Sequence, residues 1–289
     1  MLTTTERKKY HYKYHMDSSS KPVVLITGAN TGLGLAVVKA LCHSSSAYQV
    51  LIGCRDVRKG EEAITTIQNE VPDSPSTLAV VQVDIASDES IQKAADQVSS
   101  QYGRLDALVN NAGANFDAEV QAGKMSRREA WNKTWDVNVS GAQVMTELFM
   151  PLLLKSNDPR LIFITSGTAC LAETEVSDTP MLERINAAPA AGWPKDPKAV
   201  RHPAYRSCKS GLNMMMREWC RVLRNDGVKV WAVSPGFLAT GLAGMGADVM
   251  KKLGAKDPSE GGEFIRDVIQ CKRDHEQGKA IRAEAVQAW

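Results

Sequence analysis

Tyr205 and Lys209 lie four positions apart, in the stretch Tyr-Arg-Ser-Cys-Lys. Within a helix, side chains at this spacing share one face, with one turn between them. A phenol ordinarily ionises near pH ~10, and a cation within a few ångströms stabilises its charged form. The pair therefore predicts that Tyr205 is a general acid or base whose pKa is lowered by Lys209. Surface pairs without chemistry also show this spacing, so the prediction depends on the other motifs.

A glycine-rich turn follows the first apolar run of the chain. Residues 23–26 are predicted to be a buried parallel strand, T-G-x-x-x-G-x-G occupies residues 27–34, and a helix is predicted at 35–41. Glycines in such a turn let the backbone approach a pyrophosphate, which binds at the positive end of the helix. A turn that only joins strand and helix is the alternative. The residues predicted to contact a dinucleotide here are Gly28, Asn30, Thr31, Gly32, Leu33 and Gly34.

The second predicted strand, residues 49–56, ends in two charged residues, Arg55 and Asp56. In dinucleotide-binding folds an acidic residue at the tip of this strand binds the ribose 2′-hydroxyl, whereas an arginine accommodates a 2′-phosphate. Counting back from a helix start at Gly60, the acidic position holds Cys54, and Arg55 follows it. Asp56 is the competing candidate, since its carboxylate can turn toward the ribose. The pattern favours NADP(H) over NAD(H).

Strands and helices alternate along the rest of the chain. Further strands are predicted at residues 78–83, 105–109, 161–164, 228–233 and 278–281, and a helical stretch at 126–154. This alternation predicts an α/β fold, a single doubly wound Rossmann-type domain with a parallel seven-stranded sheet and helices on both faces. Ligands bind outside the carboxyl ends of such strands, and Ser166 follows the fifth. At the end of the third, Asp84 is either an acceptor for the adenine amino group or the N-cap of the next helix.

Taken together, these motifs resemble the short-chain dehydrogenase/reductase family over residues 21–289. The family's order is matched by the glycine pattern, Asn-Asn-Ala-Gly at 110–113, Asn138, a serine after the fifth strand, Tyr-x-x-x-Lys, and Pro-Gly at 235–236. The resemblance implies that the catalytic residues are Asn138, Ser166, Tyr205 and Lys209. Besides the glycine loop and Arg55, it implies cofactor contacts from Asp84, Ile85, Asn111, Ala112, Gly113, Tyr205, Lys209, Pro235, Gly236 and Thr240. Within that set Thr240 is expected to bind the nicotinamide carboxamide. The resemblance also implies that Asn110, outside that set, flanks the adenine ribose.

The resemblance also implies a role for each catalytic side chain. Hydride from the reduced nicotinamide makes a ketone carbon into an alkoxide, to which Tyr205 supplies a proton. The Ser166 hydroxyl donates a hydrogen bond to the same oxygen. Lys209 is expected to lower the tyrosine pKa and bind the nicotinamide ribose, and Asn138 to hold a water that links Lys209 to solvent.

One distance between motifs differs from the spacing that is usual in the family. Tyr205 lies 39 positions after Ser166, far more than is usual. The intervening residues 171–203 are predicted to be an ordered, partly helical insertion over the mouth of the active site. A comparable insertion marks the carbonyl-reductase-like members, which implies a monomer here, with a homo-oligomer as the alternative. Residues 241–256 are predicted to cover the substrate, and the candidates for substrate contacts are Trp193, Phe237, Leu238 and Met245.

Composition limits the other classes of function. The 289 residues are 43% hydrophobic and 24% charged, and the formal net charge of +2 gives no reason to expect a nucleic-acid or membrane partner. The six cysteines form no C-x-x-C pair, so neither a metal site nor a disulfide framework is expected. With no apolar run near the ~20 residues of a membrane span and no secretory signal pattern, a cytoplasmic location is expected. The polar, basic residues 1–20 are predicted to be a disordered tail.

The sequence thus predicts an NADP(H)-dependent carbonyl reductase that acts on a small hydrophobic, aromatic or quinone-like ketone. One alternative is an NAD(P)+-dependent alcohol dehydrogenase working in the oxidative direction. The other, from a different class, is a non-catalytic NADP-binding sensor or scaffold. The complete catalytic set argues against the sensor, because such a protein has no need of all four side chains.

Overall fold

A seven-stranded parallel sheet forms the centre of the molecule. The structure, a computed structural model, describes residues 21–176, 178–196, 199–200 and 202–289, and the tail predicted at 1–20 lies outside this part. The strand order is β3-β2-β1-β4-β5-β6-β7, so the direction of winding reverses between β1 and β4. The strands are β1 Val23–Thr27, β2 Gln49–Cys54, β3 Thr77–Gln82, β4 Ala107–Asn110, β5 Arg160–Ile164, β6 Lys229–Val233 and β7 Ala280–Ile281. Open sheets of this kind bind ligands beside such a reversal, outside the carboxyl ends of the strands.

The described residues form ten α-helices between and after these strands. They are α1 Gly32–Cys42, α2 Val57–Glu70, α3 Asp88–Tyr102, α4 Asp117–Gln121, α5 Arg127–Trp135, α6 Gly141–Leu153, α7 Pro180–Asn186, α8 Pro203–Val222, α9 Ala247–Lys252 and α10 Pro258–Ile269. A π-helical turn, Asp136–Ser140, joins α5 to α6, so the stretch predicted at 126–154 is helical from Arg127 to Leu153. Within the described ranges, no helix is both long and apolar enough to cross a membrane.

The first strand shows why the sheet is covered on both faces. Val23 and Leu25 pack into one hydrophobic core, and Val24 and Ile26 pack into another. Successive side chains of a strand point to opposite faces, so a continuous apolar run requires cover on each side. Buried residues of α3, α6 and α8 belong to the first core, and those of α1, α2 and α10 to the second. The predicted doubly wound fold is confirmed.

Predictions at three helix starts differ from the structure, and the first is α1, which begins at Gly32 and not at residue 35. Helix α2 begins at Val57, not Gly60, because the Asp56 carboxylate accepts a hydrogen bond of 3.0 Å from the Arg58 N–H and so acts as the N-cap. The N-cap of α3 is Ser87, whose hydroxyl accepts from the Ser90 N–H, so the capping alternative for Asp84 is wrong. The seven predicted strands agree with the observed ones to within two residues at each end.

The long segment between β5 and α8 is partly helical. It contains the 3-10 turn Ala172–Glu175 and helix α7, while residues 177, 197, 198 and 201 lie outside the described part. Residues 241–256 contain a second 3-10 turn, Gly241–Ala243, and helix α9. Both segments follow the carboxyl end of a strand, β5 and β6 respectively, and therefore lie on the side of the sheet where ligands bind.

Candidate active site

Helix α8 carries both Tyr205 and Lys209, and its start is fixed by a residue from elsewhere in the chain. The carboxylate of Asp117, buried at the beginning of α4, accepts hydrogen bonds from the backbone N–H groups of Ala204 and Tyr205, at 3.2 and 3.0 Å. The first N–H groups of a helix have no acceptor within the helix, so this carboxylate satisfies two of them. Asp117 thus holds the turn on which Tyr205 lies.

Lys209 lies one turn below Tyr205 and is buried. Its Nζ donates a hydrogen bond of 2.8 Å to the carbonyl oxygen of Ile164, the last residue of β5, and lies 5.7 Å from the centre of the Tyr205 ring. Burial lowers the pKa of Lys209 to about 8, because an ammonium group loses solvation there. The predicted pair is therefore brought together at the carboxyl end of β5.

The pKa of Tyr205 is shifted opposite to the expectation. Burial of the phenol raises its pKa above the ordinary value, the neighbouring Cys208 raises it further, and a hydrogen bond with Ser166 acts in the other direction. Proximity to Lys209 does not overcome the loss of solvation, so the predicted lowering by this lysine is wrong for the cofactor-free protein. A phenol with a raised pKa is protonated at neutral pH, which is the form that a proton donor requires.

Ser166 follows β5 and begins a short 3-10 turn, Gly167–Ala169. Its Oγ accepts a hydrogen bond of 3.2 Å from the backbone N–H of Thr168 and lies 2.9 Å from the Oγ1 of the same residue. A hydrogen bond with Ser166 also acts on the pKa of Tyr205, so the hydroxyl groups of these two residues lie close together.

Asn138 lies in the π-helical turn between α5 and α6. Its Nδ2 donates to the carbonyl oxygens of Ala114 and Thr134, at 2.7 and 2.8 Å, while its Oδ1 is buried without a hydrogen-bond partner. A Cβ added at Gly113 would lie 2.6 Å from this Oδ1 and 3.7 Å from Lys209 Nζ, so all three residues adjoin. A buried carbonyl oxygen next to a lysine ammonium group is suited to binding a bridging water.

The glycine loop between β1 and α1 leaves backbone groups open to a ligand. Gly28 and Gly32 have φ values of 65° and 56°, which side chains other than glycine rarely adopt. Thr31, the N-cap of α1, makes no side-chain hydrogen bond to the helix, so the first N–H groups are available to an anion. A Cβ at Gly34 would lie 2.5 Å from the Gly28 carbonyl oxygen, so the close packing of this loop requires glycine there. These features fit the pyrophosphate of a dinucleotide.

Residues after β4 hold the glycine loop in place. Asn111 Nδ2 donates a hydrogen bond of 2.7 Å to the Thr27 carbonyl oxygen, and the backbone N–H groups of Asn111 and Ala112 both donate to Thr27 Oγ1. Asn110 is directed into the protein, where its Nδ2 donates to Thr146 Oγ1 of α6. The sequence indicated the small and amide residues here, but it gave no sign of the bracing role of Thr27.

Comparison with known proteins agrees with this arrangement. A protein-family model described as short chain dehydrogenase matches residues 22–177. The chain is 49% identical over 278 residues to the short-chain dehydrogenase/reductase eupG of a Phoma species, covering 93% of this chain and 98% of that protein. The chain belongs to the short-chain dehydrogenase family.

Two further similarities extend over nearly the whole length of this short-chain dehydrogenase. It is 45% identical over 263 residues to the short-chain dehydrogenase/reductase tropE of Talaromyces stipitatus, covering 91% of this chain and 96% of that protein. The structure superposes on that of the NADPH-bound carbonyl reductase from chicken fatty liver with a TM-score of 0.72, at 22% identity, covering 93% of this chain and 99% of that one. The second similarity shows the shared fold.

The tip of β2 in this short-chain dehydrogenase presents an arginine to solvent. Arg55 is exposed, and no acidic partner for its guanidinium is found among the described residues. Asp56 is turned toward α2, where its carboxylate accepts from the Arg58 N–H and lies 3.6 Å from the Arg58 guanidinium. At the tip of β3, Asp84 is half-buried and its carboxylate accepts a hydrogen bond of 3.1 Å from the Ala86 N–H. Ile85 beside it is also half-buried.

The segment after β6 lies beside the glycine loop. A Cβ at Gly32 would be 3.7 Å from Thr240 Cβ, so Thr240 is close to the predicted cofactor contacts, and Pro235 and Gly236 precede it in the same segment. Phe237 is half-buried, and the Arg184 guanidinium of α7 lies 5.9 Å from the centre of its ring. Helix α7 therefore adjoins the segment that was predicted to contact the substrate.

Two of the predicted substrate residues point to solvent in this short-chain dehydrogenase. The Trp193 side chain is 84% exposed, and Met245 is 41% exposed. Leu238 is buried. The structure thus brings Phe237 to the carboxyl ends of the strands but leaves the Trp193 side chain on the surface. In the part of the chain that is described, no group of His, Cys, Asp and Glu side chains is arranged to hold a metal ion.

Proposed function

We propose that this short-chain dehydrogenase reduces the carbonyl group of a hydrophobic, ketone- or quinone-like small molecule with NADPH. The observation that carries the proposal is the convergence of Ser166, Tyr205 and Lys209 at the carboxyl end of β5, beside the glycine loop. NADPH, when bound, supplies the hydride. The residues of this chain orient the carbonyl group and deliver the proton.

Tyr205 is the proton donor in this proposal. The phenol is protonated at neutral pH, with its ordinary pKa of ~10 as with its raised one, so a proton is available when negative charge develops on the substrate oxygen. The Ser166 hydroxyl stabilises the same charge by donating a hydrogen bond. Lys209 and the unpartnered Oδ1 of Asn138 provide the route by which the proton is replaced, since both lie next to Gly113.

A preference for NADPH over NADH rests on the tip of β2. The exposed Arg55 guanidinium can pair with a 2′-phosphate, and the nearby Asp56 carboxylate is held by the start of α2. An Asp56 carboxylate that faced the ribose would repel that phosphate. The similar fold of the NADPH-bound chicken carbonyl reductase is consistent with this choice.

The other residues that would hold the cofactor are Gly28, Asn30, Thr31, Gly32, Leu33, Gly34, Asp84, Ile85, Asn111, Ala112, Gly113, Pro235, Gly236 and Thr240.

We also propose that the protein is a monomer. Leu171, from the start of the insertion, and Trp289, at the end of the chain, line a cavity of about 480 Å³ against Met214 and other residues of α8. The Ala172 N–H donates to the Trp289 carbonyl oxygen, so the two segments are joined beside this helix face. Light scattering should give the mass of one chain, and a mass near two or four chains would contradict the proposal.

The experiment that tests the function is NADPH consumption across a panel of ketones, quinones and aldehydes, with NADH in parallel. Turnover with NADPH and little with NADH is expected. Efficient turnover only of alcohols with an oxidised cofactor would favour the oxidative alternative. Saturable NADPH binding without turnover of any compound in either direction would favour the sensor alternative.

A further inference from the structure

We propose that Thr168 is a positioning residue that fixes the direction in which Ser166 donates its proton. The proposal rests on the role given to Ser166 in the proposed function. It adds a residue two positions beyond the catalytic serine, whose backbone and side chain both contact the serine oxygen.

The geometry follows from the hydrogen-bonding capacity of a hydroxyl group. Ser166 Oγ has two lone pairs and one proton. Its first acceptor site is taken by the Thr168 N–H at 3.2 Å. The Thr168 hydroxyl lies 2.9 Å away, where either oxygen can donate, and in the proposed arrangement it donates to the second acceptor site. With both acceptor sites filled by one residue, the serine proton has to point away from Thr168. Tyr205 is the partner available to that proton, because a hydrogen bond with Ser166 acts to lower the pKa of the Tyr205 phenol.

Thr168 can fix this direction because its own backbone is held by α8. The Thr168 carbonyl oxygen accepts a hydrogen bond of 3.1 Å from Nε of Arg206, the residue directly after Tyr205. The same guanidinium donates to the Ile185 carbonyl oxygen and to Asn186 Oδ1, both at the end of α7. Thr168 therefore keeps its position relative to the catalytic helix.

The two residues before Thr168 are held by side chains from the C-terminal part of the chain. The Ser166 carbonyl oxygen accepts from Gln287 Nε2 at 3.3 Å, and the Gly167 carbonyl oxygen accepts from Arg282 Nη2 at 3.5 Å. Arg282 also forms two hydrogen bonds, at 2.7 and 2.6 Å, with the Glu173 carboxylate in the insertion. Each of three successive carbonyl oxygens thus has a side-chain donor, which makes the serine segment rigid enough for a hydroxyl direction to matter.

The test compares Thr168→Val, which keeps the shape but loses the hydroxyl, with Thr168→Ser, which restores it. Thr168→Val should lower kcat for carbonyl reduction about tenfold, which corresponds to one hydrogen bond of ~1.4 kcal/mol. The dissociation constant of NADPH and the Tm should stay unchanged, and Thr168→Ser should recover kcat to within about twofold of wild type. Thr65→Val, which removes an exposed hydroxyl from α2, is the matched control and should keep full activity.

Crystal structures of the wild type and both variants give a second readout that needs no turnover. Ser166 should occupy one rotamer in the wild type and in Thr168→Ser, and more than one in Thr168→Val. Unchanged kcat in Thr168→Val, or a Thr168→Ser variant as impaired as Thr168→Val, would overturn the proposal. If the wild type reduces no carbonyl compound, the proposed function fails, and the rotamers alone decide: a single, unchanged Ser166 rotamer in Thr168→Val rejects the role of Thr168.

Discussion

Asp117 accepts a hydrogen bond of 3.0 Å from the backbone N–H of Tyr205 across 88 positions of the chain. The carboxylate is buried, and it reaches α8 at the turn that carries the proton donor. A cap in this position contributes to stability, because it satisfies N–H groups that have no acceptor within the helix. It also fixes the catalytic tyrosine relative to the loop that follows β4.

Replacement of Asp117 by alanine should affect both stability and catalysis. Loss of the cap should cost about 1–2 kcal/mol of unfolding free energy, and kcat should fall because the first turn of α8 becomes mobile. Asp257→Ala is the matched control, since Asp257 caps α10 through a hydrogen bond of 3.0 Å from the Ser259 N–H. Chemical denaturation and steady-state kinetics measure the two effects. If both variants lost stability and neither lost kcat, the positioning role of Asp117 would be wrong.

Lys209→Met should separate stability from activity. Burial lowers the pKa of Lys209 to about 8, whereas its ordinary value is ~10.4. Between these values the unfolded chain binds more protons than the folded one, so this lysine makes the cofactor-free protein more stable as pH rises from about 8 to 10. Methionine keeps the length of the side chain without its charge. The variant should lose this rise, be at least as stable as wild type at neutral pH, and be inactive.

Thermal unfolding of both proteins over that pH range, without cofactor, measures the difference. Tyr205 contributes in the opposite sense and at higher pH, because its raised pKa makes the folded state lose stability once the unfolded tyrosine ionises above pH ~10. Equal pH dependence of Tm in wild type and Lys209→Met would contradict the assigned pKa.

Arg55→Ala should weaken the preference for NADPH. Removal of a charge-assisted contact with the 2′-phosphate should raise KM for NADPH by about 10- to 100-fold and leave KM for NADH within about twofold. Arg221→Ala, which removes an exposed arginine paired with Glu218 on α8, is the control and should change neither value. An equal loss with both cofactors would show that Arg55 supports the fold of this edge and does not select the phosphate.

The parts of the site that were predictable are those with local patterns. The glycine turn comes directly after its strand, Ser166 follows β5, and Tyr205 and Lys209 are related by a single helical turn. Asp117 escaped prediction because its partner lies 88 positions away, and a carboxylate that caps a distant helix has no sequence pattern. The cap at Asp56 could have been predicted, because an aspartate at the start of a helical stretch is an ordinary N-cap signal.

Electrostatics and side-chain exposure were harder to predict than position. The sign of the Tyr205 pKa shift depends on how deeply the phenol is desolvated, which is a property of the packed protein and not of the Tyr-x-x-x-Lys spacing. Trp193 was a candidate because it belongs to the insertion predicted to lie over the mouth of the active site, yet its side chain is exposed at the surface of that insertion. The direction of a side chain within an irregular segment has no period from which it can be inferred.

The most direct test of the central claim is the rate of NADPH consumption by Tyr205→Phe with a ketone that the wild type reduces. The account predicts a loss of about a thousandfold or more, since the variant keeps the ring but has no proton to donate. Affinity for NADPH, measured by fluorescence titration, should stay within a few-fold of wild type. Turnover close to that of the wild type, with a folded variant that binds NADPH, would contradict the assignment of Tyr205 as the proton donor.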